Sequence, residues 1–208
     1  MDEESPTALP DAVAGLILAG GRARRMGGQD KGLIPLAGRP MIEHVLRRLR
    51  PQVATIVISA NRNGERYARF GHPVIADVLG DYPGPLAGVL SALIDTRQPW
   101  LAVVPCDSPL LPEDIVERLL HTALTASAEL AVAHDGERLQ PVFALLHRSL
   151  LASLRAYLES GGHKVDAWYA QHRMIATDLS DRPEAFVNIN TPEDHAALER
   201  EILRGRRA

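Results

Sequence analysis

Between positions 20 and 31 the chain gathers four glycines, Gly20, Gly21, Gly27 and Gly28, and four cations, Arg22, Arg24, Arg25 and Lys31. Glycines let a backbone lie close against a ligand with its amides turned inward, and guanidinium forks and an ammonium suit phosphate oxygens. The stretch follows an apolar run, Val13 to Ala19, so it reads as a strand delivering a phosphate-binding loop. A triphosphate is its natural guest. Neither standard phosphate loop fits: Lys31 is followed by Gly32 and not by a hydroxyl residue, and the paired glycines do not make G-x-G-x-x-G. The plain alternative is a solvated basic surface loop.

Asp107 is the acid best placed to serve such a guest. It follows an all-apolar run and stands between Pro105 and Pro109, a stiff post from which a carboxylate can hold a magnesium ion bridging phosphates. The competing reading is a helix N-cap, but the next helix signal, Pro112-Glu113-Asp114, lies several residues on. Cys106 beside it has no neighbouring base and reads as a packed apolar residue, not a nucleophile. The segment from Gly80 to Gly88, which holds Gly84, Pro85 and Leu86, is stiffened by prolines and could read the edge of a base, or could simply punctuate the chain. Asn188 and Asn190 share one face of an extended segment and either touch a polar ligand or fix the entry to a last helix. The eight histidines show no metal-ligand spacing, and no Ser-His-Asp constellation is evident.

The elements that must position these residues follow from periodicity. Strand-length apolar runs at Val13 to Ala19, Val53 to Ser59, Pro73 to Ala76 and Leu101 to Pro105 alternate with helical patterns at Met41 to Arg50, Asn63 to Phe70 and Leu86 to Thr96. That alternation predicts βα units on a parallel sheet, whose ligands collect at the carboxyl ends of the strands. The residues there are polar: the cationic loop, then Ser59-Ala60-Asn61-Arg62, then Asp77, then Asp107. After a helix ending near Thr125, Leu130 to His134 and Leu139 to Leu146 flank Asp135-Gly136 as a hairpin. Helices are expected at Arg148 to Glu159 and Lys164 to Gln171, with a last short strand at Phe186 to Ile189. A C-terminal helix follows, capped by Thr191 with Pro192 at its first position. One mixed sheet is expected to join both halves.

Bulk properties narrow the field. The chain has 208 residues, 46% hydrophobic and 24% charged, with a net charge of −3, which suits a single globular domain and argues against nucleic acid or an anionic membrane as partner. A lone cysteine excludes a disulfide framework and suits a reducing cytoplasm. No apolar run approaches the roughly 20 residues that span a bilayer. Residues 1–12, with four acids and two prolines, read as a flexible tail before a domain covering 13–208.

The ordered set Leu18-Ala19-Gly20-Gly21, Arg25-Met26-Gly27, Asp30-Lys31-Gly32, Gly84-Pro85-Leu86-Ala87-Gly88, Pro105-Cys106-Asp107 and Asn188-Ile189-Asn190-Thr191-Pro192 resembles the molybdenum cofactor guanylyltransferase family, the MobA proteins. The match runs through nearly the whole chain beyond the tail. The resemblance implies a Rossmann-like α/β fold of the nucleotide-diphospho-sugar-transferase type, a three-layer sandwich around a mostly parallel mixed sheet. It implies transfer of GMP from GTP to the terminal phosphate of molybdenum-molybdopterin, with GTP held by the amino-terminal half and the pterin by the carboxyl-terminal half. On that resemblance Leu18, Ala19, Gly20 and Gly21 line the GTP site, and Arg25 and Lys31 neutralise phosphates. Asp77 serves the nucleotide, Asp107 serves Mg2+, and Asn188 and Asn190 serve the pterin end. Ser59 stands where some relatives carry Asn, so a contact made by that amide falls to Ser59 or Asn61. Molybdenum-insertion proteins, or apo-molybdoenzymes and their chaperones, are the implied transient partners. A molybdopterin cytidylyltransferase, a sugar-phosphate nucleotidyltransferase and a nucleotide-binding regulatory or docking protein are the alternatives.

Overall fold

The computed structural model describes residues 9–19, 30–78, 84–187, 189 and 192–205. Arg22, Arg24, Arg25, the four loop glycines, Gly80 to Pro83, Asn188, Asn190 and Thr191 lie outside them.

The elements in chain order are β1 (Val13–Leu18), β2 (Pro35–Leu36), β3 (Arg39–Pro40), α1 (Met41–Leu49), β4 (Thr55–Ser59), α2 (Gly64–Ala68), β5 (Val74–Ile75), α3 (Pro85–Asp95), β6 (Trp100–Pro105), α4 (Ile115–Thr125), β7 (Leu130–His134), β8 (Leu139–His147), α5 (Leu151–Glu159), α6 (Val165–Tyr169), β9 (Met174–Asp178) and α7 (Pro192–Gly205). Among the described residues seven strands form one sheet in the order β5-β4-β1-β6-β8-β7-β9. β5, β4, β1 and β6 run parallel, β8 lies antiparallel to β6 and β7, and β9 returns to run parallel to β7. The mixed sheet thus joins the two halves through the β6–β8 pairing.

Alternation along the buried strands sends side chains to two cores. Val13 and Ile17 of β1, Val104 of β6 and Leu145 of β8 meet α1 and α4 on one face. Ala14 and Leu16, Val103 and Leu146 meet α3, α5 and α6 on the other. The result is a helix, sheet, helix sandwich.

Several expectations need correction. Among the described residues the last strand is β9, and Phe186, expected to begin a later one, closes a turn. Pro183 opens a 3-10 turn, Pro183–Phe186, that buries Ala185 and Phe186 instead. β9 escaped the periodicity because it is an edge strand with little of its surface buried. The β2–β3 ribbon was also unforeseen, since two-residue strands leave no pattern. Its turn, Ala37-Gly38, has positive φ at both positions, 50° and 81°. The Ala37 N–H donates to Glu199 Oε1 of α7 at 2.7 Å, and His195 of α7 lies 2.7 Å from the Pro35 carbonyl. Leu36, Met41, Ile189 and Leu198 bury together beneath this contact. The segment expected to fray ends in a 3-10 turn, Leu9–Ala12, with Ala12 packed on the core.

β8 is the seam between the parallel and antiparallel parts, so truncating it should be costly. Leu145→Ala is expected to lower unfolding free energy by about 2–5 kcal/mol, read by urea denaturation; a loss within error of zero would contradict a cooperative sheet.

Candidate functional site

β1 and β6 are neighbours in parallel register, with Leu18 opposite Pro105. Their carboxyl ends leave the sheet side by side, and the Cys106 N–H donates to the Leu18 carbonyl at 3.0 Å. On the other flank the Ala19 N–H donates to the Ser59 carbonyl of β4 at 2.8 Å. The next strand is tied in the same way, the Ala60 N–H donating to the Ile75 carbonyl at 2.9 Å. Four strand ends therefore open onto one edge, the place where parallel sheets bind ligands.

Lys31 and Asp107 meet at this edge. Lys31 Nζ donates to Asp107 Oδ2 at 2.9 Å, with side chains 25% and 15% exposed. Asp107 is thus engaged with the lysine and caps no helix; the residue at the start of α4 is Asp114. Both side chains remain partly open at the rim of the sheet.

Lys31 is held by its neighbours on both sides. It opens a 3-10 turn, Lys31–Leu33, in which the Leu33 N–H donates to the Asp30 carbonyl at 3.0 Å. Asp30, with a side chain only 4% exposed, accepts from Arg62 Nη2 at 2.8 Å and from Asn63 Nδ2 at 2.6 Å. Gly32 sits against a wall: a Cβ there would stand 3.0 Å from the Tyr67 hydroxyl and 3.1 Å from Cys106 Sγ. A side chain there would have to push the Tyr67 hydroxyl and Cys106 aside by a few tenths of an ångström, so a glycine suits the close approach of the turn.

Burial, with the Asp107 carboxylate beside it, pushes the Cys106 thiol well up from its usual range. It stays protonated and packs as a buried apolar residue. Burial likewise pushes the Tyr67 phenol up. The hydroxyls of Tyr67 and Ser108 are buried with no hydrogen-bond partner among the described residues.

The nucleotide-side candidates gather nearby. Asn61 embraces Asp77, its Oδ1 accepting from the Asp77 N–H at 2.9 Å and its Nδ2 donating to Asp77 Oδ2 at 2.6 Å. Its amide is therefore committed to orienting Asp77. Ser59 is buried at the end of β4 and meets α3, where a Cβ on Gly88 would stand 2.5 Å from Ser59 Oγ and 3.1 Å from Leu18 Cδ2. Gly88 is what lets the Pro85-Leu86-Ala87-Gly88 turn press on the ends of β1 and β4. Gly84 precedes it at φ 131°, a conformation reserved for glycine. Ser91 extends the same surface, its Oγ accepting from the Val78 N–H at 2.9 Å. The structure thus brings Leu18, Ala19, Lys31, Ser59, Asn61, Asp77, Gly84, Pro85, Leu86 and Asp107 to one edge. Between the positions of Asn188 and Asn190, Ile189 is buried against Leu36 and Met41.

Sequence reasoning gave no role to Asn63, Tyr67 and Ser91, and quoted Asp30 only as part of the Asp30-Lys31-Gly32 motif. Asp30 lies 32 and 33 positions from its partners, so spacing carries no signal; only its place beside Lys31 could have flagged it.

Among the described residues no group of three or more His, Cys, Asp or Glu could hold a metal. Mg2+ commonly binds through one or two carboxylates with the rest of its shell from phosphates and water. Asp107, partly exposed beside Lys31, has the chemistry for a metal that arrives with a triphosphate.

Residues 15–175 match the family model of the MobA-like NTP transferase domain. A molybdenum cofactor guanylyltransferase of Shewanella piezotolerans is 54% identical over 190 residues, covering 91% of this chain and 93% of that protein. One of Shewanella halifaxensis is 54% identical over 192 residues, covering 92% and 94%. The crystal structure of molybdopterin-guanine dinucleotide biosynthesis protein A from Archaeoglobus fulgidus superposes with a TM-score of 0.77 at 22% identity, covering 92% of this chain and 99% of that one. CMP:2-keto-3-deoxy-manno-octonic acid synthetase, complexed with CTP, superposes with a TM-score of 0.71 at 14% identity, covering 94% and 99%. At such identities these two structures speak for the fold alone.

Two outcomes follow from the packing. Gly88→Ala should displace Ser59 and cost about 1–3 kcal/mol by overpacking, seen as a lowered melting temperature; unchanged stability would show that α3 can stand off. Iodoacetamide should alkylate Cys106 at least about 100-fold more slowly in the native than in the urea-unfolded protein, and equal rates would show an exposed thiolate.

Proposed function

Since the chain belongs to the molybdenum cofactor guanylyltransferase family, within the MobA-like NTP transferases, we propose that it transfers GMP from GTP to the terminal phosphate of molybdenum-molybdopterin. The products are the guanine dinucleotide cofactor and pyrophosphate. The single observation that carries the site assignment is the Lys31–Asp107 pair at the carboxyl edge of the sheet, 2.9 Å apart. The names of the relatives favour guanylyl transfer over the cytidylyl, sugar-phosphate and non-catalytic alternatives.

In this reading a terminal phosphate oxygen of molybdopterin attacks the α-phosphorus of GTP in line. The bond from that phosphorus to the bridging oxygen of the β-phosphate breaks, and pyrophosphate leaves with the electron pair. The attacking phosphate is already ionised near neutral pH, so no general base is needed, and no catalytic His or Ser is called for. Lys31 places a positive charge against the phosphate oxygens on which charge builds. Asp107 would hold magnesium, which when bound neutralises charge on the triphosphate and the leaving group. Arg25 is proposed to share the cationic role of Lys31. Asp77, fixed by Asn61, and the Gly84-Pro85-Leu86 turn would face the nucleoside, with Leu18, Ala19, Gly20 and Gly21 lining the approach beside Ser59. Asn188 and Asn190 are assigned to the pterin end, in the carboxyl-terminal half.

No helix among the described residues is long and apolar enough to cross a membrane. The reaction is proposed to run in the cytoplasm, with the product passed to molybdenum-insertion proteins or apo-molybdoenzymes and their chaperones.

Incubation with GTP, Mg2+ and molybdopterin should release pyrophosphate and the guanine dinucleotide, and CTP should give neither. Pyrophosphate from CTP at an equal rate would remove the guanine assignment. Asp107→Ala should abolish turnover while weak GTP binding persists in calorimetry; full activity in that variant would put the metal elsewhere.

A further inference from the structure

Three consecutive residues are fastened to three different parts of the fold. Asp30 reaches the loop between β4 and α2, Lys31 reaches the end of β6, and Gly32 is seated between Tyr67 of α2 and Cys106. We propose that Asp30 is a positioning residue for the transfer reaction, a buried carboxylate that acts through Lys31 by locking its backbone to Arg62 and Asn63. The inference rests on the guanylyltransferase reading for what Lys31 does, but not for where Lys31 is held.

Both Asp30 oxygens are engaged by protein donors, Oδ1 by Arg62 and Oδ2 by Asn63, which fixes the plane of the carboxylate. A carboxylate buried to this extent is tolerable only with charge-assisted partners, and removing one of them leaves an uncompensated group. Asn63 adopts a left-handed backbone, φ 53°, at the start of α2, and its side chain makes no cap to its own helix. An asparagine tolerates that conformation, and here it directs the amide onto Asp30 while the Asn63 carbonyl accepts from the Arg66 and Tyr67 N–H groups. The first turn of α2 and the turn holding Lys31 are thereby fixed as one piece.

The gain from such fixing is geometric. Lys31 has four rotatable bonds, and an ammonium held beside Asp107 with an immobile backbone needs little rearrangement when charge develops on a phosphate. A shift of about 1 Å in such a group can cost on the order of 100-fold in rate. Binding of GTP, spread over several strand ends, should depend on it far less.

The sequence supplies a clean probe, because Lys31 and Lys164 are the only lysines in the chain. In protein labelled with 13C-lysine, Asp30→Asn should move the Lys31 ε-carbon resonance of the nucleotide-free protein and leave that of Lys164 in place. In the pyrophosphate assay the same variant should lower kcat by about 10- to 100-fold with KM for GTP within about two-fold and the Mg2+ requirement unchanged. In a Lys31→Ala background, Asp30→Asn should cost less than about two-fold more, because the two act as a unit. Additive losses, a raised Mg2+ requirement or an unmoved Lys31 resonance would each overturn the proposal. If Asp30→Asn does not fold, Asn63→Ala carries the same cycle and spectrum, with the same expectations. The resonance is read without turnover, so a protein that makes no pyrophosphate would sink the transferase reading and still test the clamp.

Discussion

The site depends on one contact across the carboxyl edge of the sheet, the 2.9 Å pair of Lys31 and Asp107. Lys31 follows β1 and Asp107 follows β6, and the two strands are parallel neighbours in register from Val13–Trp100 to Leu18–Pro105, so both chains leave the sheet at the same edge. A parallel pairing needs a crossover, so the chain between them, carrying α1, α2 and α3, must be laid over the two faces. The helices, cores and loops serve this placement.

The pair is partly exposed, and its own contribution to stability is therefore small. What keeps it in register is the packing beneath. Cys106 and Tyr67 form the wall under Gly32, and Gly88 allows α3 to close on Ser59 and Leu18. Buried apolar contact fixes the backbone, and the polar groups at the rim are then free to serve a ligand. At the far end, α7 grips the ribbon that follows the Lys31 turn, through Glu199 on the Ala37 N–H. A residue near the carboxyl terminus thus braces the stretch that carries the lysine.

Much of this was legible in the sequence, for physical reasons. β1, β4 and β6 are buried on both faces and read as unbroken apolar runs, and the glycine and proline punctuation marked where they end. Lys31, Asp77 and Asp107 were legible as site candidates because their types and strand-end positions carry chemistry. What escaped had no local signature. β9 is an edge strand, the β2–β3 ribbon is two residues a side, and Phe186 looked extended because it begins the mostly apolar run Phe186-Val187-Asn188-Ile189 while it closes the turn Pro183–Phe186. Asp30, Arg62 and Asn63 are made a unit only by tertiary pairing, which no spacing announces.

The most direct test is a crystal structure of the protein with Mg2+ and an α,β-methylene analogue of GTP, which cannot release pyrophosphate. The triphosphate is expected at the carboxyl edge of β1 and β6, with Lys31 Nζ turned from Asp107 onto a phosphate oxygen and the metal on the Asp107 carboxylate. A triphosphate bound away from that edge, with the Lys31–Asp107 pair intact, would contradict it.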